Sequence, residues 1–206
     1  MVSKIVRGVA GHAVAPHSPL HGARFLIWLR LMRYKSHLAM ALAGVTLLQP
    51  WQHGPATTVA VYALGVLGGL LPDIDHPSSF IGRRVPVLPH VLYRTTGHRG
   101  GTHSPMAVFG CYLLGAQVAA GLQLPGCAWA LPVAYACHLL GDVVTDRGIP
   151  LGWPLWRQRM GVALTTTGSR MESVLATLFC AGAAAWLLPL RARQAALAWV
   201  SGAVGI

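Results

Sequence analysis

Three stretches of this 206-residue chain, residues 55–72, 105–124 and 173–190, run for 18, 20 and 18 residues without a charged side chain. A fourth, 127–140, is apolar apart from His138, and a fifth, 38–51, is short and begins directly after His37. A helix needs about 20 predominantly apolar residues, within about 17–25, to cross the hydrocarbon core of a bilayer. The competing reading is a soluble bundle with these runs as core helices. Only 10% of the residues are charged, against roughly 25% in an ordinary soluble domain, which leaves too little polar surface to cover so many apolar helices. A hydrophobic share of 54% also excludes a disordered chain. The expected fold is all-α, a polytopic membrane helical bundle with about four to five transmembrane helices.

The placement of Lys and Arg orients such a bundle. Lys4, Arg7, Arg24, Arg30, Arg33 and Lys35 precede the first run. Arg83, Arg84, Arg94 and Arg99 follow the second, and Arg147, Arg157, Arg159 and Arg170 follow the fourth. The turns at 49–54 and 123–126 carry none. Basic and neutral loops alternate, and the basic ones mark the cytoplasmic side; Arg191 and Arg193 fit this pattern less well. Three segments are expected: a basic tail at 1–35, a membrane-embedded domain at 36–190 and a short apolar tail at 191–206. The tail has no signal-peptide pattern. Its portion 25–35 reads as a basic, apolar patch for an anionic lipid surface, and Met32 offers a second start. The net charge of +11 prompts a nucleic-acid reading, but the basic residues flank spans instead of forming a soluble patch, so no nucleic-acid partner is expected. The four cysteines lie in the apolar runs without CxxC spacing, which leaves a zinc–thiolate site unsupported.

With so few acids, their positions are informative. Asp73, Asp75 and His76 crowd the exit of the second run between Pro72 and Pro77, and the prolines stop the helix there. His98, Arg99 and His103 lie just before Ser104-Pro105, a good cap and first position for the next helix. His138 and Asp142 are four residues apart and share one helix face. His37 begins the first run and Glu172 the last. Each group has a plain alternative: aspartates capping a loop, solvated histidines beside a cap, Glu172 favouring a helix dipole. In the topology above, however, all of them lie at cytoplasmic helix ends. Candidate metal ligands are therefore His37, Asp73, Asp75, His76, His98, His103, His138 and Asp142. Nitrogen and oxygen donors without sulfur suit zinc, manganese or iron, and metal-activated water is the usual device for phosphoester hydrolysis. Asp73 or Asp75 would orient the water, and Arg99 would steady the developing charge.

The motifs LPDIDHPSSFIGRR, GHRGGTHS and HLLGDVVTDRGIPLGWP, with SHLAMA before them and TGSRMES after, resemble those of the YdjM-like inner-membrane family of metal-dependent hydrolases. The resemblance covers about residues 36–190. It implies a bacterial inner-membrane helical protein, distantly similar to the zinc-dependent phospholipase C and nuclease group, with the same eight His and Asp residues at the family's polar positions. Asp146 stands where the family more often has Pro. The expected function is a membrane-bound, metal-dependent hydrolase acting on a phosphoester, in particular a phospholipid, at the cytoplasmic face. The alternative is a metal-binding membrane protein without turnover, in transport or in a structural or stress role.

Overall fold

The computed structural model describes residues 19–48, 54–96, 99–167 and 169–187, with side chains from Tyr34 onward. Among the described residues six α-helices follow in order: α1 (Pro19–Leu48), α2 (Pro55–Leu70), α3 (Val87–Thr96), α4 (Pro105–Gly121), α5 (Ala130–Val143) and α6 (Arg170–Leu187). Among the described residues there is no strand, only two isolated bridges in the α5–α6 connection.

Prolines set the starts. Pro55 and Pro105 occupy first-turn positions of α2 and α4, where the missing N–H is no loss. Ser104 accepts a hydrogen bond from the Ala107 N–H and so caps α4 as the Ser-Pro pair predicts. Two elements differ from expectation. α1 begins at Pro19, well ahead of the apolar run at 38, because no proline interrupts residues 20–48 and helix continuity does not require apolarity. What the 25–35 patch faces lies outside the described side chains. α3 falls in a stretch expected to be loop; of its ten residues only Pro89 is buried, so it contributes little to the core and left little hydropathy signal.

α2 packs chiefly on α5, α1 lies against α2, α5 and α6, and α4 closes on α5. Ala41, Val45, Val61, Leu131 and Ala134 are fully buried at the centre. Small residues permit the close approach: a Cβ at Gly68 would lie 2.5 Å from the Leu131 carbonyl oxygen and 2.9 Å from Ala134 Cβ. Small-residue contact of this kind is how helices associate where burial from water offers no drive. The exterior is apolar too, with Val59, Phe109 and Leu178 more than half exposed. α2 and the turn that continues it, Pro55–Asp75, form a span long and apolar enough to cross a membrane, with mean hydropathy 1.5. α4 is apolar but only 17 residues long. By this length criterion the described residues contain one span, below the four to five expected.

Beyond α5 the chain folds back on itself. Val162 and Leu164 donate to the Val143 and Val144 carbonyls, and Asp146 N–H donates to Thr165 O. Asp146 Oδ1 accepts from the Thr167 N–H at 3.4 Å, which accounts for this acid as a loop tie. The path delivers Glu172 to the start of α6, beside α1 and the end of α5.

Candidate metal centre

The helix ends converge on a small set of buried polar side chains. α2 passes into a 3₁₀ turn, Leu71–Asp75, held by Pro72 and by Ser79 Oγ donating to Asp73 O at 2.7 Å. Such a turn has three residues per revolution, so side chains two apart point about 120° away from each other. Asp73 therefore faces the interior cluster while Asp75 points elsewhere. In an extended loop both would have shared a side, which is what a joint ligand role for the two aspartates assumed.

His138 is the most telling residue. It is 1% exposed, and its Nδ1 lies 2.7 Å from the Gly69 carbonyl oxygen. A carbonyl only accepts, so Nδ1 carries a proton and, in the neutral ring, Nε2 holds a lone pair. That nitrogen faces Asp142 Oδ2 at 3.5 Å and Asp73 Oδ1 at 3.9 Å and makes no hydrogen bond among the described residues. A lone pair aimed at two carboxylates is repulsive, so this nitrogen carries either a proton or a bound cation.

His103, fully buried, repeats the arrangement. Thr102 Oγ1 donates its one proton to Asp75 Oδ2 at 2.7 Å, so the 3.1 Å contact between Thr102 Oγ1 and His103 Nδ1 has the ring N–H as donor. Asp75 Oδ2 also accepts the Arg99 backbone N–H at 2.9 Å. Nε2 of His103 then faces Asp142 Oδ2 at 3.3 Å and Asp73 Oδ1 at 4.0 Å. Burial by itself depresses the His103 imidazolium, but the hydrogen bonds with Asp142 and Asp75 outweigh it and raise the pKa to about 9.

Asp73 Oδ1, His103 Nε2, His138 Nε2 and Asp142 Oδ2 are thus separated by 3.3–4.0 Å in the four pairs that link a histidine to a carboxylate. Tetrahedral zinc with bonds of about 2.0–2.1 Å needs ligand separations of about 3.4 Å. Of the four, Asp73, His103 and His138 present ligand atoms within 4.8 Å of one another, wider than that, and the two histidines have the outer hydrogen bonds that ligating imidazoles usually have. Donor chemistry and geometry fit a divalent ion.

The other sequence candidates divide. His37, 4% exposed, joins the cluster: its ring stacks on His138 at 4.2 Å, and His37, His138 and Asp142 form a second group of converging donors. Gly141 permits this, since a Cβ there would be 2.7 Å from His37 Nδ1. Asp75 is not among the converging donors; it holds Thr102 and, through it, His103. His76 turns to Ser78, whose Oγ lies 2.9 Å from its Nδ1. His98 lies outside the described residues. Arg99 is buried, at φ 55°, a conformation that costs energy in a non-glycine residue. Its Nη2 lies 2.5 Å from Asp142 Oδ1, so one arm of the expected anion clamp is already engaged. Glu172, left outside the ligand set by the sequence, is 7% exposed and places Oε1 3.9 Å from His37 Nε2. The signal was its position as one of five acids, at a helix start beside a basic loop. Ser169 Oγ accepts the Glu172 N–H at 3.2 Å, so capping falls to Ser169 and the carboxylate serves the cluster.

These features define a class: an all-helical protein of apolar exterior, with a buried histidine–carboxylate cluster at the meeting point of its helix ends. More particularly, the chain belongs to the YdjM inner membrane protein family, whose sequence profile matches residues 32–205. It is 40% identical over 113 residues to Inner membrane protein YdjM of Escherichia coli (strain K12), and equally to that of Shigella flexneri. Each match covers 52% of this chain and 56% of the relative, so the chain spans about half the length of these two. Uncharacterized protein YvsG of Bacillus subtilis (strain 168) is 31% identical over 154 residues, 71% of this chain and 89% of its own. No solved structure matches.

Proposed function

We propose that this protein is a multi-pass enzyme of the bacterial inner membrane that hydrolyses a phosphoester, in particular a phospholipid headgroup ester, with a divalent metal at its cytoplasmic face. The observation that carries the reading is the backbone hydrogen bond that fixes Nδ1 of His138 as a donor and leaves its buried Nε2 directed at Asp73 and Asp142. Zinc suits the donor set best, with manganese or iron as alternatives. Asp73, His103, His138 and Asp142 would hold the ion, with His37 beside them. The bound ion supplies a water of lowered pKa and a counter-charge for the phosphoryl oxygens.

The chain's own groups divide the remaining work. Asp73 is the exposed member of the cluster, its side chain 29% accessible, and is the group placed to orient or deprotonate incoming water. Arg99 Nη1 is buried without a hydrogen-bond partner and is available to a phosphate oxygen while Nη2 stays on Asp142. Two adjoining cavities support a lipid as substrate. One, about 340 Å³, has a mainly apolar wall including Leu71, Ile74, Leu92 and Leu114. The other, about 210 Å³, is lined by Arg99, Arg157 and Arg159, and the two share Thr96 and Trp153. An acyl chain in the first would place an anionic headgroup among the arginines of the second. Arg99 belongs to both the arginine-lined cavity and the cluster.

The test is metal content and turnover of the purified full chain in lipid vesicles, using a panel of phosphodiesters and phospholipids, beside His138→Ala and Asp142→Ala. Wild type is expected to retain metal and cleave at least one phosphoester, and both variants to lose both properties. Equal, negligible metal in all three refutes the metal centre. Metal held without turnover on any phosphoester would instead leave a metal-binding membrane protein in a transport or structural role.

A further inference from the structure

We infer that the arginine-lined cavity selects the lipid headgroup: Arg157 and Arg159 admit a phospholipid whose headgroup is anionic and carries no amine, and disfavour zwitterionic lipids. This rests on the phospholipid reading above and adds to it the class of headgroup and the residues that choose it. The guanidinium groups of Arg99, Arg157 and Arg159 line a cavity of about 210 Å³ together with Tyr93 and Trp153, and no carboxylate is among its lining residues. The acids of this chain are placed elsewhere. Asp73 and Asp142 face the buried histidines, Asp75 holds Thr102, Glu172 lies by His37, and Asp146 accepts the Thr167 N–H. An ethanolamine ammonium in this cavity would meet three charges of its own sign and no counter-charge, which is repulsive. Aromatic rings such as Tyr93 and Trp153 attract a quaternary ammonium in other settings, but here they stand among the same three guanidiniums.

The three arginines divide the headgroup between them. Arg99 keeps Nη2 on Asp142, and its Nη1 is buried and makes no hydrogen bond among the described residues, so the phosphate belongs at Arg99, next to the cluster. That leaves the rest of the headgroup to Arg157 and Arg159, which are both exposed. Trp153 stands between the acyl and headgroup cavities, since it borders both. Gly101 lets it settle there, because a Cβ at that position would lie 3.0–3.3 Å from the indole ring. An indole, with an apolar body and a polar edge, suits the boundary between acyl chain and headgroup. The rim separates a lipid from a free phosphoester. The connection that carries Arg157 and Arg159 also carries Leu155, 97% exposed, and Trp156, Val162 and Leu164, all more than half exposed. α3, which gives Tyr93 and Thr96 to the same cavity, leaves Val87 75% exposed and has Arg94 in its last turn. Apolar and basic side chains mixed around one opening fit an anionic lipid surface, whereas a soluble phosphate would need only the arginines.

The experiment measures lipid retained by the full chain in detergent, by native mass spectrometry, as purified and again with chelator so that added lipid stays intact. The probes are phosphatidylglycerol and phosphatidylethanolamine with the same acyl chains, and glycerol phosphate as the headgroup without a lipid. An arginine beside an anionic lipid surface contributes about fivefold in binding, so wild type is expected to favour phosphatidylglycerol by about tenfold or more. Arg157→Gln and Arg159→Gln should each lower that preference by about fivefold, and the double variant should bring it near parity. Gly110→Leu adds bulk to the acyl cavity from a position where a Cβ meets nothing within 4 Å; it should weaken both lipids alike and leave the preference unchanged. Equal retention of the two lipids by wild type, or a preference that survives the double variant, overturns the inference. Glycerol phosphate displacing phosphatidylglycerol as well as the lipid itself does would make this a site for a soluble phosphoester and overturn it too. Retention is read without turnover, so the two readings fail separately. Cleavage of a phosphoester with no headgroup preference leaves the enzyme and removes the selecting site, whereas a preference without cleavage leaves the site on a protein that does not turn over.

Discussion

Asp75→Asn separates a metal ligand from a residue that orients one. In the structure Asp75 Oδ2 accepts the Arg99 N–H at 2.9 Å and the Thr102 hydroxyl at 2.7 Å, and Thr102 in turn receives the His103 ring proton. The carboxylate also lies 3.5 Å from His103 Nδ1. Asparagine keeps the size of the side chain and one acceptor oxygen, so the turn and the Arg99 backbone contact should survive. What it removes is the negative charge that makes the far nitrogen of His103 a better donor. Loss of an outer partner of this kind typically lowers metal affinity about 10–100-fold, equivalent to about 1.4–2.7 kcal/mol. The assay is competition for Zn²⁺ against a chromophoric chelator with purified Asp75→Asn protein, beside His103→Ala as the true ligand deletion. Asp75→Asn is expected to fall between wild type and His103→Ala, with bound stoichiometry unchanged at saturation. Affinity equal to wild type would refute the His103–Thr102–Asp75 relay. A loss matching His103→Ala would return Asp75 to the ligand set.

Two further outcomes follow from the geometry. In the metal-free protein the His103 pKa is raised to about 9, so its paired, protonated form contributes stability that is fully present below about pH 6.5 and lost as pH rises through about 9. Metal must displace that proton, so apparent affinity should climb about tenfold per pH unit between about 7 and 9; calorimetry in buffers of different ionisation enthalpy should register close to one proton released from this ring, and a pH-independent affinity would contradict the assignment. In the packing, Gly68→Val is expected to cost about 1–3 kcal/mol through overpacking, since its Cβ meets the Leu131 carbonyl. Gly182→Ala, with nothing within 4 Å, should be neutral or up to about 1 kcal/mol stabilising; thermal unfolding in detergent compares them, and equal effects would mean α2 and α5 do not touch as described.

Much of the helical plan was legible because it depends on local chemistry. Uncharged runs opened by proline correspond to α2 and α4, the remaining apolar runs make up most of α5 and α6, and Ser104 caps α4 as its neighbour Pro105 implies. The 3₁₀ turn after α2 was not legible. Pro72 and Pro77 show that a helix must stop, but whether Asp73 and Asp75 then share a side depends on turn geometry, and the two possible geometries assign them opposite roles. α3 was missed because its residues are largely exposed, and periodicity records burial.

The sequence alone therefore determined an apolar, helical, acid-poor chain whose few ionisable groups sit at helix ends, because composition and spacing set these features residue by residue. The tertiary structure decided which of those groups meet. The Gly69 carbonyl selects the tautomer of His138 from another helix, 69 residues away in sequence. Gly141 admits His37, and the folded α5–α6 connection brings Glu172 to within 3.9 Å of it. Each of these facts depends on close approach between segments distant along the chain, and no local pattern encodes such an approach.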